Sequence, residues 1–240
     1  MASPTLLLMS SSRAGNSAYL EPYIESITAL CQQRKILFIP YAGVGMSNAD
    51  YTARVQAALA PAGLTVEGIE TSADPIAAIK SAEAILVGGG NTFNLLYTLY
   101  QQQLLDPIRQ AVASGTPYLG WSAGSNIAGL SIRTTNDMPI VEPPSFAALA
   151  LVPFQLNPHY TDYQPAGFHG ETRDQRLQEF MVIAPTTPVL AIPEGTYLIV
   201  NDGHMHYHGN QPGYVFLNGD KQPLHPQQDC SQWLGAAPTV

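Results

Sequence analysis

Cysteine, basic residues and long apolar runs are all scarce in this chain of 240 residues, and each scarcity removes a class of protein. Two cysteines, Cys31 and Cys230, are too few for a disulfide framework and stand in no metal-binding spacing. Ten Lys and Arg face eighteen Asp and Glu, a net charge of −8. The basic residues are scattered and only Arg34 and Lys35 are adjacent, so the basic stripe of a nucleic-acid binder is missing. No stretch approaches the roughly eighteen consecutive apolar residues of a membrane span. The run Leu6-Leu7-Leu8-Met9 is too short for a signal-peptide core, and no Lys or Arg precedes it. A cytoplasmic protein free of membrane and nucleic acid is expected.

What is abundant is core-forming material. Hydrophobic residues make up 45% of the chain, which excludes disorder as the main state. Short apolar runs at 5–9, 35–40, 64–69, 84–87 and 116–120 read as buried strands, because they lack the polar alternation of a half-exposed strand. Helical stretches lie between them, at about 18–32, 49–60, 75–81, 93–101 and 104–113. Ser47-Asn48 and Asp74-Pro75 are start signals for two of these. Such alternation predicts an α/β protein with a parallel sheet covered on both faces. Beyond Ser131 prolines crowd in, and a helix near 172–183 and strands near 189–192, 197–200 and 214–217 complete the fold. With no repeat or linker, residues 1–240 read as a single domain.

Gly120-Trp121-Ser122-Ala123-Gly124 fits Gly-x-Ser-x-Gly directly after a predicted strand. A strand turning sharply into a helix strains the central residue and needs small neighbours, and it presents the serine hydroxyl above the sheet. Gly88-Gly89-Gly90-Asn91-Thr92 follows another strand. The dinucleotide fingerprint fails there because position 93 is Phe. An oxyanion hole formed by Gly89 or Gly90 with the amide of Ala123 fits better. A tight turn is the plainer alternative.

A nucleophilic serine needs a base and the base an orienting acid. The order Ser, acid, His would draw on Asp162, Asp174 or Glu194 with His204, His206 or His208, but a triad is defined by geometry and not by order. His204, His206 and His208 share one face of a predicted strand. They could hold a metal ion, yet they read better as the solvated surface of a hairpin. Thr172 with Gln175 forms a capping box, which puts Arg173 at the first helical position, where the helix dipole opposes a cation. That placement makes sense if an anion binds there. A local pair with Glu171 or Asp174 would also account for it.

Six segments in order, 88–93, 120–126, 132–140, 157–159, 170–176 and 193–195, resemble peptidase E, the α-aspartyl dipeptidase family. The resemblance runs from about Thr5 to beyond Val200. It implies a three-layer, flavodoxin-like sheet similar to that of class I glutamine amidotransferases. It also implies a serine peptidase that cleaves dipeptides with N-terminal aspartate, without metal or cofactor. A monomer or homodimer is expected. The resemblance assigns Ser122, His159 and Glu194 as the triad; by sequence alone Asp137 is the competing acid. Arg173 then receives the substrate's side-chain carboxylate, and Asn91 is a further substrate-binding candidate. The His204, His206 and His208 cluster and the tail after Leu217 have no counterpart in the family's motifs. A cyanophycinase-like or β-aspartyl hydrolase, or a non-enzymatic binder on the same fold, are the competing readings.

Overall fold

A computed structural model describes residues 3–32, 34–167 and 169–235. The five apolar runs form strands β1 (Leu6–Met9), β2 (Ile36–Ile39), β3 (Val66–Gly68), β4 (Ala84–Val87) and β5 (Tyr118–Trp121). They pair in parallel in the order β3-β2-β4-β5-β1. Successive residues of a strand point to opposite faces. Leu6 and Leu8 therefore join one core, while Leu7 and Met9 join another.

Helices cover both faces. Helices α1 (Ile24–Cys31) and α2 (Asn48–Leu59) bury Ile27, Cys31, Val55 and Leu59 on one side. Helices α3 (Pro75–Lys80), α4 (Thr92–Gln101) and α5 (Leu105–Ala113) bury Ile79, Leu95, Leu99 and Ile108 on the other. The expected start signals act as caps. Ser47 accepts the Asp50 N–H at 3.1 Å, and Asp74 accepts the Ala77 N–H at 3.0 Å, each satisfying a donor with no partner inside its helix. Cys31 and Cys230 are buried, free thiols of the core, and burial pushes both up to about 12.

The second half departs from the expected single sheet. Strands β8 (Tyr197–Asn201) and β9 (His204–His208) extend the parallel sheet beyond β1, antiparallel, to seven strands. A separate four-stranded sheet has the order β11-β10-β7-β6, from β6 (Gln155–Tyr160), β7 (Val189–Pro193), β10 (Gly213–Leu217) and β11 (Asp220–Leu224). Leu156, Leu190, Ile192 and Val215 pack this sheet into the first core, and α7 (Arg173–Ile183) covers its other face with Leu177, Phe180 and Met181. Strands β6 and β11, which contain Pro158 and Pro223, were not among the expected strands. Both are edge strands, where proline's missing N–H leaves no ladder bond unmade. Part of the tail after Leu217 is thus β11; residues 236–240 lie outside the described residues.

Candidate active site

Ser122 stands between β5 and the short helix α6 (Ala123–Asn126), with φ 52° and ψ −115°. That left-handed backbone is costly for a non-glycine residue, and the turn is held from several sides. The Ser122 N–H donates to the Met9 carbonyl at 3.1 Å, and the Tyr118 hydroxyl donates to the Gly124 carbonyl at 2.6 Å. The Ser125 hydroxyl lies 2.7 Å from the carbonyl oxygens of both Met9 and Gly120. Both motif glycines are required sterically. A Cβ at Gly120 would lie 2.6 Å from the Gly124 backbone, and one at Gly124 would lie 2.3 Å from the Val87 carbonyl oxygen. Because α6 is only four residues long, it brings little aligned dipole. Negative charge developing beside Ser122 depends on individual amides.

His159 lies on β6 at a break in its register with β7, between Pro158 and Tyr160, and its φ is 54°. This bulge turns the ring out of the strand's alternation and onto the serine. Nε2 is 2.9 Å from Ser122 Oγ, and Nδ1 is 2.8 Å from Glu194 Oε1. Glu194 follows β7. Its carbonyl accepts from Gln211 Nε2 at 2.8 Å, and the next residue, Gly195, has φ +80°. The pair is unusually open: the His159 and Glu194 side chains are 39% and 61% exposed. Ser10 binds the arrangement together. Its hydroxyl accepts the His159 N–H at 2.9 Å and donates to the Ile192 carbonyl at 2.8 Å. No sequence signal singled out Ser10, because its partners are more than a hundred residues away.

Asp137, Asp174 and the three histidines of β9 are placed elsewhere. Asp137 accepts from the Thr92 N–H at 2.7 Å and the Thr92 hydroxyl at 2.5 Å, so it caps α4 and does not reach His159. Asp174 holds Lys221 at 2.8 Å and the Tyr160 hydroxyl at 2.5 Å. His204, His206 and His208 sit on β9, the outer edge of the seven-stranded sheet, and His208 stacks on Tyr197 with the rings 5.0 Å apart. Among the described residues, no group of three or more His, Cys, Asp or Glu is placed to hold a metal ion.

The glycine loop closes against the serine. A Cβ on Gly89 would lie 2.9 Å from Ser122 Cβ and 2.7 Å from the Trp121 ring, and one on Gly90 (φ +139°) would lie 2.2 Å from the Ala42 carbonyl oxygen. The Tyr51 hydroxyl donates to the Gly89 carbonyl at 2.7 Å. In a trans peptide the N–H points opposite to the C=O, so Tyr51 fixes where the Gly90 N–H is aimed. Tyr51 was not among the expected site residues. Asn91, expected to touch substrate, has its side chain engaged otherwise. Its Oδ1 caps α4 on the Asn94 N–H at 3.0 Å, and its Nδ2 donates to the Met138 carbonyl at 2.8 Å.

Two cavities flank Ser122 and His159. The smaller, of about 220 Å³, is lined by Thr92, Ala123, Asn126, Asp137 and Arg173. Arg173 begins α7 behind the expected capping box. Its Nη1 is buried and has no hydrogen-bond partner. Burial, and then the neighbouring Arg176, push its pKa below the ordinary arginine value. The local pairings that could have explained it are both taken, since Glu171 holds Arg176 at 2.8 Å and Asp174 holds Lys221. The larger cavity, of about 520 Å³, lies on the other side, toward Tyr19, Tyr51 and Arg54.

A serine raised on a strand-to-helix turn, with a histidine and a carboxylate in line behind it, defines a serine hydrolase. Residues 6–208 match the family model of Peptidase family S51, and the chain belongs to that family, so it is a serine peptidase. It is 56% identical over 230 residues to Peptidase E of Shewanella denitrificans (95% of this chain, 98% of the relative) and 54% identical over 232 residues to Peptidase E of Shewanella baltica (95% and 96%). The fold is similar to the crystal structure of a peptidase from an acI-B1 Actinobacterium, with a TM-score of 0.69 at 16% identity, covering 95% of this chain and 96% of that one. Among the described residues, no helix is long and apolar enough to cross a membrane.

Proposed function

We propose that this protein hydrolyses dipeptides bearing an N-terminal L-aspartate, through an acyl-enzyme on Ser122. His159 Nε2 takes the Ser122 proton as Oγ attacks the Asp-X carbonyl, while Glu194 holds Nδ1–H and steadies the imidazolium. The oxyanion is received by the amide N–H groups of Ala123 and of Gly90 or Gly89. His159 returns its proton to the leaving amine, the C–N bond breaks, and water repeats the cycle on the aspartyl ester. Asn91 serves by holding the Met138 segment against α4, so its part in substrate binding is to keep the walls in place.

The observation that carries this reading is the buried, unpartnered Nη1 of Arg173 in a cavity that also contains Ser122 and His159. A buried cation without a partner is costly, and the side-chain carboxylate of aspartate supplies the partner. Asp137 lines the same cavity, where its charge suits the substrate's α-ammonium. Residues 1–240 are read as one catalytic domain, cytoplasmic, monomeric or homodimeric, acting on small peptides and not on nucleic acid. The names of the relatives, Peptidase E, agree with this reading.

The test is hydrolysis of Asp-Leu, Asn-Leu and Glu-Leu by the purified protein with chelator present. Cleavage of Asp-Leu alone is expected. Comparable cleavage of Asn-Leu would remove the role given to Arg173. Inertness toward all three, from a folded sample, would favour a cyanophycinase-like or binding function.

A further inference from the structure

The larger cavity beside Ser122 is built unlike the smaller one. Val44, Met46 and Ile140 line it and are 59%, 40% and 52% exposed, an apolar surface left open where water meets the nucleophile. Exposed large apolar groups gathered at one site mark a place for an apolar ligand group. Tyr19 and Trp121 also line it, with their rings 6.1 Å apart and edge-on. Among the described residues, no carboxylate lines this cavity and Arg54 is the cation in it. The Arg54 guanidinium lies 4.2 Å above the Tyr19 ring. None of the ion pairs found among the described residues involves it.

We propose that this cavity receives the residue released by the reaction, and that Arg54 binds its free α-carboxylate while Val44, Met46 and Ile140 hold its side chain. The inference rests on the dipeptidase reading and extends it to the leaving half of the substrate. The acyl half is held in the cavity of Arg173, so the leaving amine must project to the other side of Ser122. In a dipeptide the α-carboxylate follows the scissile carbonyl by one residue, about 3.5 Å of chain. A side chain as long as arginine, in no ion pair among the described residues, can swing to meet it. In a longer peptide that position is a neutral amide, with no charge for Arg54 and with more chain to place. The same arginine therefore favours a short, apolar-ended substrate and disfavours internal cleavage. Arginine suits the task because its planar fork matches a carboxylate through two parallel N–H donors.

The experiment compares kcat/KM for Asp-Leu with that for Asp-Leu-amide, in the parent protein and in Arg54→Gln and Arg54→Lys. The parent is expected to prefer the free carboxylate by about tenfold, as for one charge-assisted contact. In Arg54→Gln the preference should fall to within about twofold of unity, and in Arg54→Lys most of it should return. The ratio between two substrates in one variant is insensitive to partial misfolding, which lowers both rates together. If Arg54→Gln keeps the parent's full preference, or if the parent shows none, the carboxylate site is wrong while the dipeptidase reading stands. If the parent hydrolyses neither peptide, the dipeptidase reading fails and takes this inference with it.

Discussion

The two cavities beside Ser122 meet at the same hydroxyl yet are built by opposite rules. On the Arg173 side the walls are small and polar, and the guanidinium is anchored at a helix start with one nitrogen buried and unpartnered. On the Arg54 side the walls are apolar and open, and the guanidinium rests on an aromatic face. A buried donor tolerates no substitute for its partner, because a neutral group leaves a charge stranded. An exposed donor offers a preference that water can partly replace. The acyl side should therefore be exacting and the leaving side permissive.

The largest expected effect tests the exacting side. Arg173→Met should lower kcat/KM for Asp-Leu by about 10³-fold or more, while the ratio of Asp-Leu to Asp-Leu-amide stays at the parent's value. Steady-state kinetics on both peptides separates these. A fall in that ratio as well would mean the cavities are not independent.

Glu194→Gln should act on both sides at once, lowering kcat for every substrate by a common factor of about 10². That is less than the roughly 10⁴ seen when a buried triad acid is neutralised, because Glu194 is largely exposed and water can stand in for part of its role. Different factors for different substrates would show that Glu194 touches the substrate and does more than orient His159.

Lys221→Met gives the smallest change. It releases Asp174 from its ion pair, and the freed carboxylate becomes available to Arg173 one residue away. A rise in KM for Asp-Leu of about threefold to tenfold, with kcat nearly unchanged, is expected for one added competing charge. An unaltered KM would mean that Asp174 does not influence the acyl cavity.

The elements that the sequence made legible are those whose cause is local. Strands β1, β2, β4 and β5 are continuous apolar runs because both faces are covered, and Ser47, Asp74 and Thr172 announce helices through caps within three residues. The nucleophile turn and the odd cation at Arg173 were legible for the same reason. What stayed hidden depends on distant neighbours. Strands β6 and β11 carry Pro158 and Pro223, and only the sheet order shows that they lie at edges, where a proline is tolerated. Spacing alone did not select His159, whose ring is aimed by a bulge set by the register with β7. Asp137 looked like a triad acid until its cap on Thr92, 45 positions away in sequence, was in view. The resemblance to a known family, and not the residues read singly, chose among the six histidines.

Ser122 belongs to the seven-stranded sheet, whereas His159 and Glu194 are carried by strands of the four-stranded one. The 2.9 Å contact between hydroxyl and imidazole thus spans two sheets that share one core, and Ser10 bridges them beside it. Each sheet can keep its own ladder while the two shift by an ångström, and a shift of that size costs about 10²-fold in rate. Catalysis in this molecule gauges how well two sheets are docked, and on warming it should fade while circular dichroism still reports both sheets intact.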